Sequence, residues 1–341
     1  MIKRALGRSG LQVPPLTFGG NVFGWTVDEA GTFSLLDALL DAGLNFIDTA
    51  DMYSRWVPGN QGGESETLIG KWLKRTGKRD QVLIATKVGM EMGPGQKGLS
   101  PAYIRRSLEA SLARLQTDYV DLYQAHRWDY ETPIEETMQA FADVVRQGKA
   151  LYIGVSEWTA EQISTGHALA RQLGIQLISS QPQYSMLWRV IEGEVVPTCR
   201  ELGISQIVWS PVAQGVLTGK YLPGQPAPAG SRGTDAKGGA NMIARFLNQE
   251  EVLARVQGLR PIADELGLSM AQLAVAWVLQ NDNLAAAIIG ASRPEQVAEN
   301  VKASGVEIPA ELMRRIDEVR GDVVVRDPAL TLEGQPKVRP V

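Results

Sequence analysis

The chain has 341 residues, of which 44% are hydrophobic and 21% are charged. This balance supports a substantial buried core and excludes wholesale disorder. The 34 basic and 38 acidic residues give a net charge of −4, which leaves no basic surplus to neutralise the phosphates of a nucleic acid.

Short β-like runs alternate with longer amphipathic segments along nearly the whole chain. At the start, Ile2–Leu6 and Leu11–Val13 flank a Gly-Arg-Ser-Gly turn, which predicts a small hairpin. The eight strands predicted after it are Leu16–Phe18, Asn45–Ile47, Val82–Thr86, Val120–Gln124, Leu151–Val155, Leu177–Ser180, Gln206–Trp209 and Ala286–Ile289.

The segments between the predicted strands carry helical signals. Ser100 followed by Pro101 is typical of a helix start. The segment Ser269–Gln280 indicates a well-buried helix. A further helix is predicted over Thr159–Leu173, and we interpret His167 within it as structural.

Strands alternating with helices over about 300 residues predict a parallel sheet, either doubly wound or closed as a (β/α)₈ TIM barrel. Five polar residues follow predicted strands, namely Asp48, Tyr53, Lys87, His126 and Gln181. In a barrel these strand ends converge on one mouth, whereas in an open sheet they would spread along an edge. We therefore predict a single barrel over residues 1–320, with the hairpin at its bottom, long loops at its C-terminal face and a surface tail over residues 321–341.

One Pro/Gly-rich stretch, residues 222–239, is too long for an ordinary connection. We predict a functional loop at the mouth, and a disordered insertion is the alternative. The first twenty residues lack the apolar core of a signal peptide. No apolar run approaches the roughly 20 residues that cross a membrane, so the sequence predicts a cytoplasmic protein without a membrane partner.

Several kinds of cofactor chemistry lack their motifs. No G-x-G-x-x-G follows a strand, so the sequence gives no support to a Rossmann dinucleotide site. The run Gly215–Tyr221 resembles a Walker A loop, but the spacing of its glycines and Tyr221 at the magnesium-binding position exclude a P-loop NTPase. With one cysteine, Cys199, and two histidines, we predict no metal site.

The polar residues at the predicted mouth suit acid–base chemistry. A lysine ammonium stabilises a phenolate, so we expect Lys87 to lower the pKa of Tyr53 from its usual value near 10. Tyr53 could then protonate a developing alkoxide, with Asp48 keeping Lys87 charged and His126 donating a hydrogen bond. Each residue also has a structural alternative: a rim salt bridge for Lys87, a helix cap for Asp48 and a satisfied structural histidine for His126.

A second group of candidate binding residues follows the last predicted strand. Gly290, Ser292 and Arg293 precede Pro294, which is a favourable first residue of a helix. A helix N-terminus with a glycine, a hydroxyl and an arginine favours phosphate binding. A capped helix with an exposed arginine is the alternative.

With these residues, the sequence resembles the aldo-keto reductase superfamily along almost its whole length. It is most similar to the branch of bacterial reductases related to potassium-channel β subunits. The stretches that carry the resemblance are GLNFIDTADMYS, LIATKVG, VDLYQAHRWD, YIGVSEW, VWSPVAQGVLTGKY and IIGASRPEQVAEN.

The resemblance implies a carbonyl reductase that prefers NADP(H), with NAD(H) also open. Tyr53 would be the general acid, Asp48 and Lys87 would adjust its pKa, and His126 would donate a hydrogen bond to the carbonyl. The cofactor-binding residues implied are Ser156, Gln181, Trp209, Ser210, Pro211, Val212, Ala213, Gln214, Gly215, Lys220, Arg232, Gly290, Ser292, Arg293, Gln296, Glu299 and Asn300. The substrate-pocket candidates are Trp25, Trp56, Arg127 and Trp128. Each tryptophan could instead be core packing, and Arg127 could either accept an anionic substrate or form a rim ion pair.

Three positions depart from patterns within the superfamily. Glu157 stands where many members have asparagine, so it is left out of the predicted site. Gln296 stands where many eukaryotic reductases have an arginine. Channel β subunits usually have asparagine at the position of His126. The complete set of Asp48, Tyr53, Lys87 and His126, here called the tetrad, therefore favours a competent enzyme over a redox sensor.

Two other functions stay open at this point. One is a cofactor-binding redox-sensing subunit with little turnover. The other is a Schiff-base aldolase that uses Lys87 as its nucleophile. The sequence does not decide between a monomer and a homo-oligomer, nor does it identify the small carbonyl substrate.

Overall fold

The computed structural model describes residues 1–235 and 239–333. Eight parallel strands close into a barrel, and a separate two-stranded antiparallel hairpin precedes them. The hairpin strands are β1 (Arg4–Ala5) and β2 (Gln12–Val13). The barrel strands are β3 (Leu16–Gly19), β4 (Phe46–Asp48), β5 (Leu83–Val88), β6 (Val120–Ala125), β7 (Ala150–Ser156), β8 (Leu177–Gln181), β9 (Ser205–Val208) and β10 (Leu284–Ile289).

The barrel closes where β10 pairs with both β3 and β9, which confirms the predicted (β/α)₈ architecture. Helices follow the strands and cover the outside of the barrel. They are α1 (Glu29–Asp41), α2 (Glu64–Thr76), α3 (Pro101–Leu115), α4 (Ile134–Arg146), α5 (Ala160–Gln172), α6 (Val195–Leu202), α7 (Gly239–Leu247), α8 (Glu250–Gln257), α9 (Arg260–Glu265), α10 (Met270–Val278), α11 (Pro294–Val301), α12 (Ala310–Arg320) and α13 (Ala329–Glu333).

Local sequence explains where several helices begin. Ser269 accepts a hydrogen bond from the backbone of Gln272, whose side chain bonds back to the Ser269 backbone, which is a complete capping box before α10. Thr159 and Gln162 form the same arrangement before α5. Ser100 occupies the cap position of α3, but its side chain makes no capping bond.

The hairpin closes the N-terminal end of the barrel, as predicted. Leu6 and Val13 are fully buried there against strand residues that include Phe46, Leu122 and Ile207. Apolar side chains thus close the inside of the barrel at this end, and the carboxyl ends of the strands meet at the opposite end.

The two segments that the sequence predicts to be irregular, residues 222–239 and 321–341, are partly structured. Within the 222–239 loop, a short 3₁₀ helix covers Arg232–Thr234, and residues 236–238 lie outside the described residues. In the predicted tail, Val325 pairs with Trp188 and Thr331 on α13 is buried, so part of the tail contacts the rest of the chain. Residues 334–341 lie outside the described residues. No helix within the described ranges is long and apolar enough to span a membrane.

Candidate active site

Four predicted residues meet at the mouth of the barrel. Asp48 is the last residue of β4, Lys87 lies near the end of β5 and His126 directly follows β6. Tyr53 lies in the turn after β4, and its ring centroid is 6.1 Å from that of His126. The barrel thus brings together side chains that are separated by up to 78 positions in the sequence.

The amine of Lys87 is the centre of this cluster. Its Nζ donates to Asp48 Oδ2 at 2.6 Å, to Tyr53 Oη at 2.8 Å and to the Thr49 carbonyl oxygen at 2.9 Å. The side chain is fully buried, so the alternative of an exposed rim salt bridge does not fit. Asp48 is also buried and caps no helix.

Asp48 is held through both carboxylate oxygens. Its Oδ2 also accepts from Tyr53 Oη at 3.1 Å, and its Oδ1 accepts from Gln181 Nε2 at 2.7 Å. A weaker contact at 3.5 Å comes from Gln124 Nε2. The amide nitrogen of Gln181 therefore orients Asp48, which is a function that the sequence did not predict for it.

The expected lowering of the Tyr53 pKa is wrong for this arrangement. Burial of the hydroxyl raises the pKa of Tyr53 well above 10, and the charge of Asp48 and its hydrogen bond raise it further. The sequence predicted an interaction of Asp48 with Lys87 alone, whereas the carboxylate is bonded to Tyr53 as well. The phenol therefore keeps its proton at neutral pH, the state that a proton donor requires.

His126 is uncharged at neutral pH. Burial, with the nearby charges of Lys87 and Arg127, lowers the pKa of His126 well below 6.5. Its Nδ1 atom is buried and has no hydrogen-bond partner among the described residues. A neutral imidazole at this place can donate one hydrogen bond to a ligand oxygen.

A cavity of about 780 Å³ begins at the tetrad and runs to α11. It is lined by Tyr53 and His126 at one end and by most of the predicted cofactor residues beyond. Those predicted residues are Ser156, Gln181, Trp209, Ser210, Pro211, Val212, Gln214, Gly215, Lys220, Arg232, Gly290, Ser292, Gln296, Glu299 and Asn300. Two predicted residues do not line it: Ala213, which is buried, and Arg293, which is exposed before α11.

Sequence reasoning missed part of the cavity wall. The additional lining residues are Asn21, Val22, Thr26, Met52, Met90, Thr218, Ala271, Val275, Ile288, Ile289 and Ala291. Asn21 and Met90 lie shortly after β3 and β5, so the strand-end rule could have found them. Ala271 and Val275 lie on α10 and have no comparable signal, because their position depends on how this helix packs against the barrel.

The four predicted substrate residues divide into two pairs. Trp56 and Arg127 line the cavity. Trp25 stands behind this wall, edge-on to Trp56 at 5.5 Å. Among the described lining residues Trp128 is absent, and its ring packs edge-on against Trp158 at 4.7 Å, which supports the alternative of core packing for Trp128.

The loop after β9 has an unusual backbone. Ser210, Ala213 and Gln214 have φ values of 56°, 48° and 59°, and Gly215 follows at 100°. Non-glycine residues rarely adopt this left-handed region, and clusters of them are typical of ligand-binding loops. Arg232 reaches this loop and donates to the side-chain oxygen of Gln214.

Glu157 acts on the cavity indirectly. Its Oε1 accepts from Trp209 Nε1 at 2.8 Å and from the backbone N–H of Gln183 at 2.6 Å. The carboxylate therefore fixes the indole that lines the middle of the cavity. The departure from asparagine at this position has a structural explanation in the bond to Trp209.

The turn before α11 matches the predicted phosphate region in part. Gln296 Oε1 accepts from the backbone N–H of Ser292 at 2.7 Å, and Asn300 Nδ2 donates to the Gly290 carbonyl at 3.1 Å. A methyl group at Gly290 would meet nothing within 4 Å, so the cavity is open there. The exposed side chain of Arg293 stands at the cap position of the helix.

The residues present fit a dinucleotide better than a small ligand alone. Three cations line the cavity, Arg127 near the tetrad and Lys220 and Arg232 beyond it, and the charge of Asp235 acts on Arg232. Burial lowers the pKa of Arg232, which indicates a guanidinium that an anion would stabilise. In the part of the chain that the structure covers, no three His, Cys, Asp or Glu side chains gather as a metal site.

A parallel barrel with an acid–base tetrad at one end of a long, partly cationic cavity defines a class of nicotinamide-dependent oxidoreductases. Comparison with known families agrees, because the model of the Aldo/keto reductase family matches residues 15–320. The chain therefore belongs to the aldo/keto reductase family and is an NAD(P)H-dependent oxidoreductase.

Relatives fall into two groups by name. A probable voltage-gated potassium channel subunit beta from Oryza sativa is 40% identical over 323 residues, which cover 93% of this chain and 95% of the relative. The uncharacterized oxidoreductase YrpG of Bacillus subtilis is 38% identical, with 92% and 94% covered. The L-glyceraldehyde 3-phosphate reductase of Escherichia coli is 36% identical, with 88% and 86% covered. The predicted resemblance to the branch that includes the channel subunits is confirmed.

Proposed function

We propose that the protein is an NADPH-dependent carbonyl reductase in which Tyr53 protonates the carbonyl oxygen. The observation that carries this proposal is the position of the Tyr53 hydroxyl, which accepts from Lys87 Nζ at 2.8 Å, at the wall of a cavity of about 780 Å³ that runs from the tetrad to α11. When bound, the reduced nicotinamide supplies the hydride.

The tetrad residues have distinct functions in this proposal. Tyr53 transfers its proton to the oxygen, and Lys87 stabilises the phenolate that forms, since its ammonium already donates to Tyr53 Oη. Asp48 holds Lys87 in place. His126, being neutral, donates a hydrogen bond to the same carbonyl oxygen and orients it.

The preference for NADPH over NADH rests on charge. Lys220 and Arg232 provide two cations for a pyrophosphate. Ser292, Gln296 and Asn300 would hold the adenosine, and Arg293 stands exposed at the N-terminus of α11, where a 2′-phosphate would benefit from both its charge and the helix dipole.

The proposal is tested by oxidation of NADPH and NADH by the purified protein with a panel of small aldehydes and ketones. We expect turnover with NADPH and a kcat/KM at least about 10-fold lower with NADH, because one charged hydrogen bond contributes about 1.5–3 kcal/mol. Equal use of both nucleotides would contradict the cofactor preference alone.

A redox-sensing subunit is the second candidate, and the relatives named as channel subunits favour it. It differs from the reductase in one measurable respect, since it would retain NADPH tightly and turn over negligibly with every carbonyl in the panel. That result would replace the reductase proposal.

The third candidate, a Schiff-base aldolase, has less support. Lys87 Nζ already donates three hydrogen bonds and its side chain is fully buried, so a free amine nucleophile would first have to leave Asp48. Borohydride treatment in the presence of an aldehyde should leave Lys87 unmodified, and a covalent adduct at Lys87 would revive the aldolase.

A further inference from the structure

Arg127 is a cation at the tetrad end of the cavity. It follows His126 at the end of β6 and lines the cavity beside Tyr53 and Trp56. Its Nη1 donates to the His126 carbonyl oxygen at 2.6 Å and to Ser156 Oγ at 3.3 Å. Both acceptors are neutral, so they hold the guanidinium in place without balancing its charge.

No carboxylate whose side chain the structure describes forms an ion pair with Arg127. The sequence left a rim ion pair open for this residue, and the structure does not contain it. The positive charge acts on its surroundings, since it contributes to lowering the pKa of His126. A partly buried guanidinium without an anion is unfavourable, and a bound anion would relieve that cost.

The other charged groups of the cavity do not offset Arg127. At the tetrad, the charge of Asp48 is paired with Lys87 at 2.6 Å. At the far end, Glu299 is paired with Lys302 at 2.7 Å. Lys220 and Arg232 add positive charge along the proposed pyrophosphate path. Among the residues that line the substrate end, no carboxylate therefore balances the charge of Arg127.

We propose that Arg127 binds an anionic group of the substrate, so that the enzyme prefers small aldehydes or ketones that carry a phosphate or a carboxylate. This inference rests on the proposed reductase function. A planar guanidinium binds either anion through two parallel hydrogen bonds. The aromatic wall of Trp56 would contact the carbon chain, whereas a wholly apolar substrate would leave the charge of Arg127 both desolvated and unpaired.

The test compares anionic substrates with neutral analogues. Glyceraldehyde 3-phosphate is paired with glyceraldehyde, and succinic semialdehyde with pentanal. For the wild type we expect at least one anionic member to exceed its neutral partner about 10-fold or more in kcat/KM, mainly through a lower KM. The pair with the larger ratio identifies phosphate or carboxylate as the group recognised.

Two variants of Arg127 test whether its charge recognises the anion. Arg127→Met should reduce the ratio of kcat/KM for the anionic substrate to kcat/KM for its neutral partner to about 1. Arg127→Lys should keep part of this ratio, since the charge stays and the bidentate geometry is lost. Arg55→Met is the matched control, because it removes a nearby charge that does not line the cavity, and it should leave the ratio unchanged. A ratio that Arg127→Met does not alter, or a wild type that prefers both neutral substrates, would overturn the proposal.

A binding measurement tests the anion subsite without requiring that the protein reduce a carbonyl. Glycerol 3-phosphate and succinate are titrated calorimetrically into the NADPH-loaded wild type and the Arg127→Met variant. Binding of one of them that weakens at least about 10-fold in the variant supports the anion subsite even if the protein turns over no carbonyl. Equal binding in both proteins, or none in either, contradicts the subsite even if neutral aldehydes are reduced.

Discussion

Tyr53 shows how neighbouring groups decide the protonation state of a single side chain. Its hydroxyl receives a hydrogen bond from Lys87 and donates one to Asp48, and these two contacts have opposite effects on ionisation. Because burial and Asp48 prevail, the phenol stays protonated through neutral pH. A tyrosine that is fully protonated can donate at any pH at which the protein is folded and Lys87 remains charged.

Asp51, two residues before Tyr53, is a buried carboxyl group that titrates near neutral pH. Its side chain is almost fully buried, Ser107 Oγ donates to Oδ2 at 3.0 Å, and Oδ1 has no partner in the described part of the chain. Burial, and next the charge of Glu66, raise the pKa of Asp51 from 3.8 to about 7. The folded protein therefore keeps a proton on Asp51 that the unfolded chain loses between about pH 4 and pH 7.

The consequence for stability has a definite sign. Since the folded state binds the extra proton, the contribution of Asp51 to stability falls as the pH rises through this window. Asp51→Asn removes the ionisation, so we expect its Tm relative to the wild type to increase from pH 5 to pH 8. Ser107→Ala should have the opposite effect, because it removes a hydrogen bond that favours the carboxylate. A Tm difference for Asp51→Asn that is the same at both pH values would contradict this assignment.

At the scale of single residues, the sequence predicted the tetrad but not the contacts around it. Asp48, Lys87 and His126 could be found because each stands at the end of a strand, and a barrel directs such residues to one mouth. The bond from Trp209 to Glu157 and the lack of a counter-charge at Arg127 could not be found, because both depend on the direction of side chains in loops.

Among the helices, α2 and α3 approach each other unusually closely at Gly70. A methyl group on Gly70 would overlap the carbonyl oxygen of Arg114 and lie 2.7 Å from the carbonyl carbon of Leu115. Both are backbone atoms and cannot rotate away, so only a glycine allows this contact.

Gly70→Ala should therefore destabilise the protein, although alanine is the better helix former by about 1 kcal/mol. We expect a net loss of at least about 2 kcal/mol in the free energy of unfolding, since α2 must move away from α3. Gly10→Ala is the control, because a methyl group there meets nothing within 4 Å. Denaturant unfolding measures both, and equal stability of the two variants would mean that the helices separate without cost.

At the scale of elements, all eight barrel strands were predicted to within two residues at each end. Their buried, nearly continuous apolar runs are typical of parallel strands covered on both faces. Helices were also predicted over Ser269–Gln280 and Thr159–Leu173, and the structure places α10 and α5 there. The five-residue helix α13 was not predicted, because it is too short for a hydrophobic period to show and forms where the tail contacts the rest of the chain.

In the molecule as a whole, the two ends of the barrel have different functions: one is closed by packing, and the other holds the candidate active site. The hairpin and an apolar cluster close one end, and the tetrad and the cavity occupy the other. The closed barrel could be predicted, since only closure brings the strand ends to one mouth. The full cavity could not, because α10 reaches it through packing between distant parts of the chain.

The central claim is that Tyr53 is the proton donor, and Tyr53→Phe tests it most directly, because the substitution removes one hydroxyl and keeps the ring. The measurement is kcat with NADPH and the best aldehyde, together with the NADPH dissociation constant by fluorescence titration. We predict a loss of at least about 100-fold in kcat with NADPH binding retained. A variant that binds NADPH and keeps kcat within a few-fold of the wild type would show that another group donates the proton.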